Sequence, residues 1–516
     1  MQSFFVCLLI ALPWLNPFSL GPSPAVVPWL VSLGSLALLL PWLTRSRLRE
    51  LVAVAWLTTA LISAVLGLLQ YFGFAAVLAP WVNVTEAGEA FANLRQRNQF
   101  ATLTNIGLAA LLCWVAQGPP SSVGAPGIER TATHLRRLLV ILAAAVLALG
   151  NAASSSRTGA VQLGVLLALT WAWCPPNGRR QQSDQHQRLI LWVALLAYVV
   201  GIGALPTLAG IDLRTSGILA RLQEGDPRCI SRLTLWSNVM HLIQQKPWFG
   251  WGWGELDYAH FVTLYPGQRF CDILDNAHNL PLHLAVELGI PLSVVLSGLG
   301  LWWAWRVRPW CETDPTRQLA WTVLALILLH SMLEYPLWYG PFQLAFGLSV
   351  FLLWPKARQL DVAPRAQRWR PTAVLTLLAV VLGMSVVYAG WDYRRISQIY
   401  LTPAQRAPAY RVATLEKIRD SWLFRDQVRF AELTMSAVTP ENAAYIHDLA
   451  ADLLHFSPEA RVVEKLIESA ALLGLEQESQ FYLARFQAAF PESYALWMQE
   501  NTAQGTADNS PQIERP

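Results

Sequence analysis

Long apolar runs separated by short polar loops dominate the chain up to residue 391. A membrane-spanning helix needs roughly 20 mostly apolar residues, and about eleven runs approach that length. They cover residues 2–20, 25–43, 50–73, 98–117, 137–151, 158–174, 189–210, 281–305, 318–334, 341–355 and 371–391. The pattern predicts an all-α, polytopic membrane helix bundle. Its first run lacks the positive start of a signal peptide, so we expect it to be a retained span.

After residue 391 the pattern changes to shorter amphipathic helices. They lie near residues 403–438, 440–456, 458–473 and 476–488. Short paired helices are typical of tetratricopeptide-like repeats. The expected organisation is a membrane domain over 1–391, a helical domain outside the membrane over 392–502, and a disordered polar tail over 503–516.

One connection between the predicted spans is long, at about 211–280. Within it, Ser231–Gln245 has helical spacing that stops before Pro247. Two of the six cysteines, Cys229 and Cys271, fall in this loop. If the loop faces an oxidising compartment, these two cysteines are predicted to form a disulfide.

The lysines and arginines of the connecting loops are divided unevenly. With the N-terminus inside, seventeen of them fall in inside loops, against Arg95, Arg97 and Arg157 in the short outside loops. This bias sets orientation in bacterial membranes. It predicts an inner-membrane protein with a cytoplasmic N-terminus, a periplasmic long loop and a periplasmic C-terminal domain.

The charge balance supports two compartments. The region from Pro403 onward has ten basic and sixteen acidic residues, a balance of −6, which leaves +10 for the rest of a chain whose net charge is +4. Because the basic residues lie in short loops rather than along one face, they do not indicate nucleic-acid binding.

Motifs for nucleotide or metal chemistry are absent from the sequence. There is no GxxxxGK[ST] loop, no GxGxxG after a strand, no HExxH and no DxD cluster, and no set of cysteines and histidines has metal-ligand spacing. The sequence therefore predicts no cofactor and no metal.

Polar residues concentrate instead at the predicted outer face. They come from four separate segments: Arg95, Gln96, Arg97 and Gln99; Arg157; His278 and Asn279; and His330, Glu334, Tyr335 and Tyr339. Because the four segments share one membrane depth, a helix bundle is able to bring them together.

The outer arginines carry the clearest chemical signal. A cation at this edge of the bilayer costs up to a few kcal/mol, and an anionic ligand offsets that cost, since guanidinium groups match phosphate oxygens. A polyprenyl-pyrophosphate lipid fits this position. Snorkelling to lipid headgroups is the alternative.

The remaining candidates each have two interpretations. His278 is suited to accept a proton near neutral pH, or it caps a helix start. His330 and Glu334 share a helix face at i, i+4 spacing and are expected to pair. Arg232 binds phosphate or stacks on Trp236. Tyr335 and Tyr339 are site residues or interfacial aromatics.

Five motifs in order give the chain a family resemblance. They are Gln96–Thr102, Ser156–Gly159, Arg232–Trp236 with Pro247–Gly254, Ala277–Leu282 and His330–Tyr339. With these motifs the chain resembles the bacterial O-linked protein oligosaccharyltransferases of the PglL type, within the superfamily of O-antigen ligases and polymerases.

The resemblance implies a reaction and a set of roles. A glycan on undecaprenyl pyrophosphate is moved to a serine or threonine hydroxyl of a periplasmic protein such as a pilin. His278 would activate the acceptor, and Arg157 and Arg232 would neutralise the leaving pyrophosphate. Either Gln96 or Gln99, and either Tyr335 or Tyr339, would position donor or acceptor. The C-terminal helices would dock the acceptor protein.

Three other functions remain open at this point. An O-antigen ligase would use the same donor with lipid A-core as acceptor, and an O-antigen polymerase would use a second lipid-linked glycan. A transporter without catalysis is less favoured, because the sequence has no internal repeat and its charges sit at one face.

Overall fold

The structure is a computed structural model, which describes residues 2–19, 21–43, 48–118, 126–173, 181–212, 228–354 and 365–508. These ranges contain no strand, which confirms the all-α prediction. Their α-helices are α1 (Gln2–Leu15), α2 (Val26–Leu39), α3 (Leu48–Tyr71), α4 (Arg97–Ala116), α5 (Pro126–Ala153), α6 (Arg157–Trp173), α7 (Gln181–Leu208), α8 (Arg232–Gln245), α9 (Leu256–Val262), α10 (Leu280–Leu288), α11 (Ile290–Val307), α12 (Pro315–Ser331), α13 (Gly340–Leu353), α14 (Arg365–Ile396), α15 (Thr414–Ile418), α16 (Arg425–Met435), α17 (Ala443–Leu454), α18 (Ala460–Leu472), α19 (Glu476–Ala489) and α20 (Pro491–Asp508).

Six helical segments of the described chain are long and apolar enough to cross a membrane. They lie in α3, α4, α5, α7, α11 and α14. Three further helices, α1, α2 and α13, are apolar but shorter. The protein is therefore a membrane protein, and the count of about eleven spans stays a prediction.

The apolar run 281–305, predicted as one span, is divided into two helices. Gly289 separates α10 from α11 with a φ of +89°, a backbone conformation that glycine adopts without a steric penalty. α10 packs against α8 through Ala285 and Val286, and the candidate span starts only at Ile290. The prediction was wrong here because apolar length alone does not reveal a glycine break.

The contacts of the chain divide it into two compact units. The first comprises Met1–Gly225 and Leu301–Gly390, and the second comprises Asp226–Gly300 and Trp391–Pro516. The expected boundary near residue 391 falls at the junction of the units. Most of the long loop, however, groups with the C-terminal helices.

In the first unit, α4 is the most enclosed of the candidate spans, because 83% of its 18-residue apolar stretch is buried. It packs on α3, α5, α6 and α12. Small residues allow close approach between helices in a membrane. Gly67 of α3, for example, lies against the ring of Phe100, and Gly107 of α4 lies against Ala60.

The second unit has two apolar clusters. One lies between α8, α10, Leu256 of α9 and the loop residue Phe270. The other lies among the C-terminal helices α16 to α19, and Phe261 of α9 inserts into it. The long loop and the C-terminal helices are thus joined through α9.

Polar contacts reinforce that junction. His455 pairs with Glu255 at 2.7 Å and stacks on Tyr258 with ring centroids 3.8 Å apart. The Arg485 guanidinium donates to the Val262 carbonyl at 2.6 Å.

Two further expectations concern this unit. Cys229 and Cys271 form a disulfide, with Cα atoms 5.4 Å apart. Successive helices from α16 to α20 pack on one another, and a tetratricopeptide-like repeat stays a prediction. The last helix continues to Asp508, into the predicted polar tail 503–516, of which residues 509–516 lie outside the described ranges.

Candidate functional site

A polar stripe runs along one face of α4 in the first unit. Gln96 caps this helix, and its side-chain oxygen accepts from the Gln99 N–H at 3.2 Å. Asn98, Thr102 and Asn105 follow at i, i+4 and i+7, so they share a face. Polar side chains inside a membrane pair with one another or with backbone carbonyls. This stripe finds its partners on α5, α6 and α12 and in the segments just before α6 and just after α12.

Asn98 connects two distant segments. Its amide nitrogen donates to Glu334 at 3.1 Å, and its amide oxygen accepts from the Ser156 hydroxyl at 2.6 Å. Ser156 also accepts from the Gly159 N–H at 2.9 Å. Three of the four predicted polar segments therefore meet at one side chain.

A second set of contacts lies one turn deeper. The Thr102 hydroxyl contacts His330 Nδ1 and Gln162 Oε1, each at 3.0 Å. Gln162 in turn donates to the Leu326 carbonyl at 2.9 Å. These bonds fix α4, α6 and α12 relative to one another.

A third set closes the network on α5. Asn105 donates to the Gly159 carbonyl at 3.0 Å, and its oxygen accepts from Asn151 at 3.0 Å. Both asparagines are fully buried. The start of α6 is therefore held from α4 and from α5.

Arg157 is the first residue of α6 and is half-buried. The residue two before it, Ser155, has a φ of +52°, a region that side chains rarely adopt. Ser154 accepts from the Ser156 N–H at 3.2 Å. The network around Asn98 thus fixes the backbone that carries Arg157.

His330 and Glu334 were expected to pair on one helix face. α12, however, ends at Ser331, so Glu334 lies beyond the helix. Each side chain also bonds to α4, His330 to Thr102 and Glu334 to Asn98. The Glu334 N–H donates to the His330 carbonyl at 2.8 Å, and a pair between the two side chains stays a prediction.

The two other outer arginines have partners within the chain. Arg97 pairs with Glu89 at 3.0 Å. Arg95 donates to the Pro17 carbonyl at 2.6 Å, and partial burial lowers its pKa. These contacts favour a structural role for both, so their donor-binding role stays a prediction.

Gln99 and the two tyrosines differ in their surroundings. Gln99 is 2% exposed, and its side-chain nitrogen has no hydrogen-bond partner among the described residues. An orphaned buried donor calls for an explanation, and an unfilled ligand contact is one. The Tyr335 and Tyr339 rings stack with centroids 5.7 Å apart, so they form one aromatic surface.

His278, in the second unit, is held by its neighbours on both sides. Its φ is +50°, and its N–H donates to the Asn276 side chain at 2.9 Å. Asn279 caps α10 by accepting from the Leu282 N–H at 3.2 Å. A non-glycine residue at positive φ persists only when its surroundings fix it, and such residues cluster at functional sites.

α8 supplies a further support for this loop. The Trp236 indole donates to the Ala277 carbonyl at 3.1 Å, next to His278. Arg232 is the first residue of the same helix, with Ser231 as its N-cap. The loop that carries His278 is therefore tied to the helix that carries Arg232.

Another histidine of this unit has a different environment. His260 is 2% exposed, and its ring nitrogens contact the Tyr265 hydroxyl at 2.8 Å and the Phe270 carbonyl at 3.1 Å. Burial and nearby Arg269 lower its pKa to about 3. It is a neutral structural histidine, whereas His278 is only partly buried.

Sequence reasoning missed the deeper members of the polar network. Asn105, Asn151 and Gln162 lie inside apolar runs, yet polar residues within a membrane helix are a functional signal in themselves. The i, i+4, i+7 spacing of polar residues on α4 was the signal that could have revealed this network.

Among the described residues, no group of three or more His, Cys, Asp and Glu side chains is placed to hold a metal ion.

Three family models match consecutive parts of the chain. A protein glycosylation ligase model matches residues 90–114, an O-antigen ligase model matches 142–297, and a model of the C-terminal region of virulence-factor membrane-bound polymerases matches 318–504. The protein glycosylation ligase match covers the capped start of α4, and the O-antigen ligase match covers both Arg157 and His278.

Two curated relatives come from Acinetobacter baylyi. A general O-oligosaccharyltransferase is 22% identical over 70% of this chain and 60% of its own length. A ComP-specific O-oligosaccharyltransferase is 24% identical over 50% of this chain and 43% of its own length. The chain is homologous to these O-oligosaccharyltransferases, which confirms the resemblance. No solved structure is significantly similar to the chain.

Proposed function

We propose that this protein transfers a glycan from undecaprenyl pyrophosphate to serine or threonine hydroxyls of periplasmic proteins, with pilins as the expected acceptors. The homology to O-oligosaccharyltransferases supports the transferase class. The observation that carries the proposal is Asn98, which joins the segments of Ser156 and Glu334 and fixes the start of α6 at Arg157.

Transfer replaces one C–O bond with another. The acceptor hydroxyl attacks the anomeric carbon, the bond from that carbon to the pyrophosphate breaks, and the hydroxyl proton is removed. Negative charge develops on the leaving pyrophosphate, and Arg157 and Arg232 stabilise it as cations. In this proposal Gln96 or Gln99 positions the donor.

His278 is the proposed proton acceptor. The contacts of Asn276 and Trp236 hold its loop before substrate binds, which reduces the reorganisation that the reaction requires. Asn279 supports the loop as the cap of α10, and Tyr335 or Tyr339 positions the acceptor.

The proposal includes an orientation. The apolar runs predict about eleven spans, and the bias of the loop arginines predicts a cytoplasmic N-terminus and a periplasmic C-terminal domain. The second unit then faces the periplasm, and its C-terminal helices, arranged as a tetratricopeptide-like repeat, serve as the docking surface for the acceptor protein.

An O-antigen ligase is the second candidate. The O-antigen ligase model matches 142–297, and the membrane-bound polymerase model matches 318–504, so a lipid-borne acceptor has specific support. The protein glycosylation ligase match and both curated relatives favour a protein acceptor.

Expression in a host that lacks its own ligase distinguishes the two. The host receives one undecaprenyl-linked glycan and a candidate pilin, and both the intact pilin mass and the lipopolysaccharide are measured. A pilin heavier by one glycan supports the proposal. Glycan on lipid A-core beside an unmodified pilin supports the ligase.

A further inference from the structure

The aromatic turn, residues 247–253, has three large side chains that are mostly exposed. Trp253 is 62% exposed and lies beside the His283 ring, with ring centroids 6.1 Å apart, and the other two are more exposed. Trp248 is 71% exposed and Phe249 is 89% exposed. Trp251, by contrast, turns inward: its indole donates to the Leu242 carbonyl at 3.1 Å, and the Lys246 ammonium lies 3.9 Å from the centre of its ring. Trp251 holds the turn in place, while Trp248 and Phe249 project from it.

Backbone contacts fasten this turn to the start of a membrane span. Trp251 N–H donates to the Val286 carbonyl at 2.8 Å, and Gly252 N–H donates to the Glu287 carbonyl at 3.0 Å. In the other direction, Ile290 N–H donates to the Pro247 carbonyl at 2.8 Å. Ile290 is the first residue of α11.

Two glycines make this approach possible. A Cβ on Gly250 would overlap the Glu287 backbone, and a Cβ on Gly289 would overlap the Trp248 backbone. Both residues also have positive φ values, +68° and +89°. The turn is therefore fixed in height relative to the first residue of the span.

The span itself indicates what covers the exposed rings. Only 6% of the 18-residue apolar stretch within Ile290–Cys311 is buried by the protein. Most of α11 therefore faces lipid. At about 1.5 Å per residue, the 18 residues of α11 extend about 27 Å, close to the thickness of the hydrocarbon core. Exposed Trp305 lies near the far end of α11, and exposed Trp310 lies just beyond it.

Aromatic residues are enriched at both interfaces of a membrane. With one tryptophan group at the far end of a span of matching length, the near end at Ile290 lies at the other interface. We propose that Trp248 and Phe249 insert into the lipid headgroup region there and anchor the second unit to the bilayer surface.

The anchor sets the depth of the His278 loop. α10 joins Gly289 to Asn279, and its nine residues extend about 14 Å. His278 is thus kept within that distance of the lipid interface, where a polyprenyl pyrophosphate has its phosphates. The anchor itself does not depend on the proposed transferase activity.

Photocrosslinking tests the anchor without any glycan. Phe249 is replaced by p-benzoylphenylalanine in the full chain, reconstituted in nanodiscs of phosphatidylethanolamine and phosphatidylglycerol. The matched control has the same probe at Trp422, which is 77% exposed in the C-terminal region of the unit. After irradiation we expect phospholipid adducts at position 249 in at least fivefold excess over position 422.

A second variant has the probe at position 248, in case the probe at position 249 disturbs folding. The irradiated protein is digested, and the disulfide-linked Cys229–Cys271 peptide shows that the unit was folded. Phospholipid yields at 248 and 249 no higher than at 422, with the disulfide intact, would overturn the anchor. Acceptor protein and lipid-linked glycan are then added. The anchor would also be overturned if the probes now form adducts with these two substrates instead of with phospholipid.

Discussion

At the scale of single residues, the first unit depends on polar side chains that satisfy one another inside a membrane. Asn98 uses both ends of its amide, one for Glu334 and one for Ser156. Such a residue is a positioning residue, because it bonds to the side chain of Ser156, the residue before Arg157.

Asn98→Ala should therefore weaken donor use more than membrane insertion. Loss of the amide leaves the buried Ser156 and Glu334 groups without this partner, at a cost of about 1–3 kcal/mol. We expect the donor KM to rise about tenfold with the acceptor KM unchanged. Thr58→Ala, which removes an exposed hydroxyl bonded only within its own helix, is the control. Equal effects of the two substitutions would rule out the positioning role.

Asp257 of α9 gives the second unit a pH dependence. Burial raises its pKa to about 7, from an ordinary value of 3.8, and the nearby carboxylates Asp275 and Glu255 add to the rise. The folded state therefore binds this proton more tightly than the unfolded state, so the contribution of Asp257 to stability falls as pH rises from about 4 to 7.

Asp257→Asn should raise the thermal unfolding temperature in detergent at pH 8 relative to that at pH 5, because an amide does not titrate. Buried His260, whose lowered pKa acts in the opposite direction, contributes equally in wild type and variant. A pH 5 to pH 8 difference of the same size in wild type and variant would contradict this assignment.

At the scale of elements, the sequence predicted most helices but not the breaks between them. Ser231 as a cap and Pro247 as a stop predicted α8 closely, because both residues act locally. The division at Gly289 was missed, because the glycine serves a distant turn at Trp248 that no local pattern reveals. The polar stripe of α4 was readable from spacing, whereas its partners on α5 and α12 needed the fold.

Gly289 and Gly254 form a matched pair for testing this break. Both have positive φ values, +89° and +80°, but a Cβ on Gly254 meets nothing. Gly289→Ala should destabilise the second unit by about 1–3 kcal/mol more than Gly254→Ala, because only the first adds a steric overlap. Thermal unfolding of the two variants measures the difference. Equal losses would show that the backbone conformation alone matters.

At the scale of the whole molecule, the account requires a fixed orientation in the membrane. Cys311 is an exposed free thiol in a loop that the arginine bias assigns to the cytoplasm. A membrane-impermeant maleimide should leave it unlabelled in intact spheroplasts and label it after permeabilisation. Gln477→Cys, in the C-terminal helices, should label in both states. The reverse pattern would refute the orientation and, with it, the periplasmic site.

The class of protein was predictable from its sequence because five motifs occur in order, whereas the acceptor depends on surfaces that a motif does not describe.

The central claim is that His278 acts in glycan transfer to a protein hydroxyl. The direct measurement is the rate of glycan transfer from the lipid-linked donor to pilin, read from the intact mass of the acceptor. Purified wild type, His278→Ala and His241→Ala are compared. His241 is the control, because it is a histidine of α8 outside the proposed site. We predict a loss of about 10²–10⁴-fold for His278→Ala alone. Transfer by His278→Ala at the wild-type rate would contradict the account.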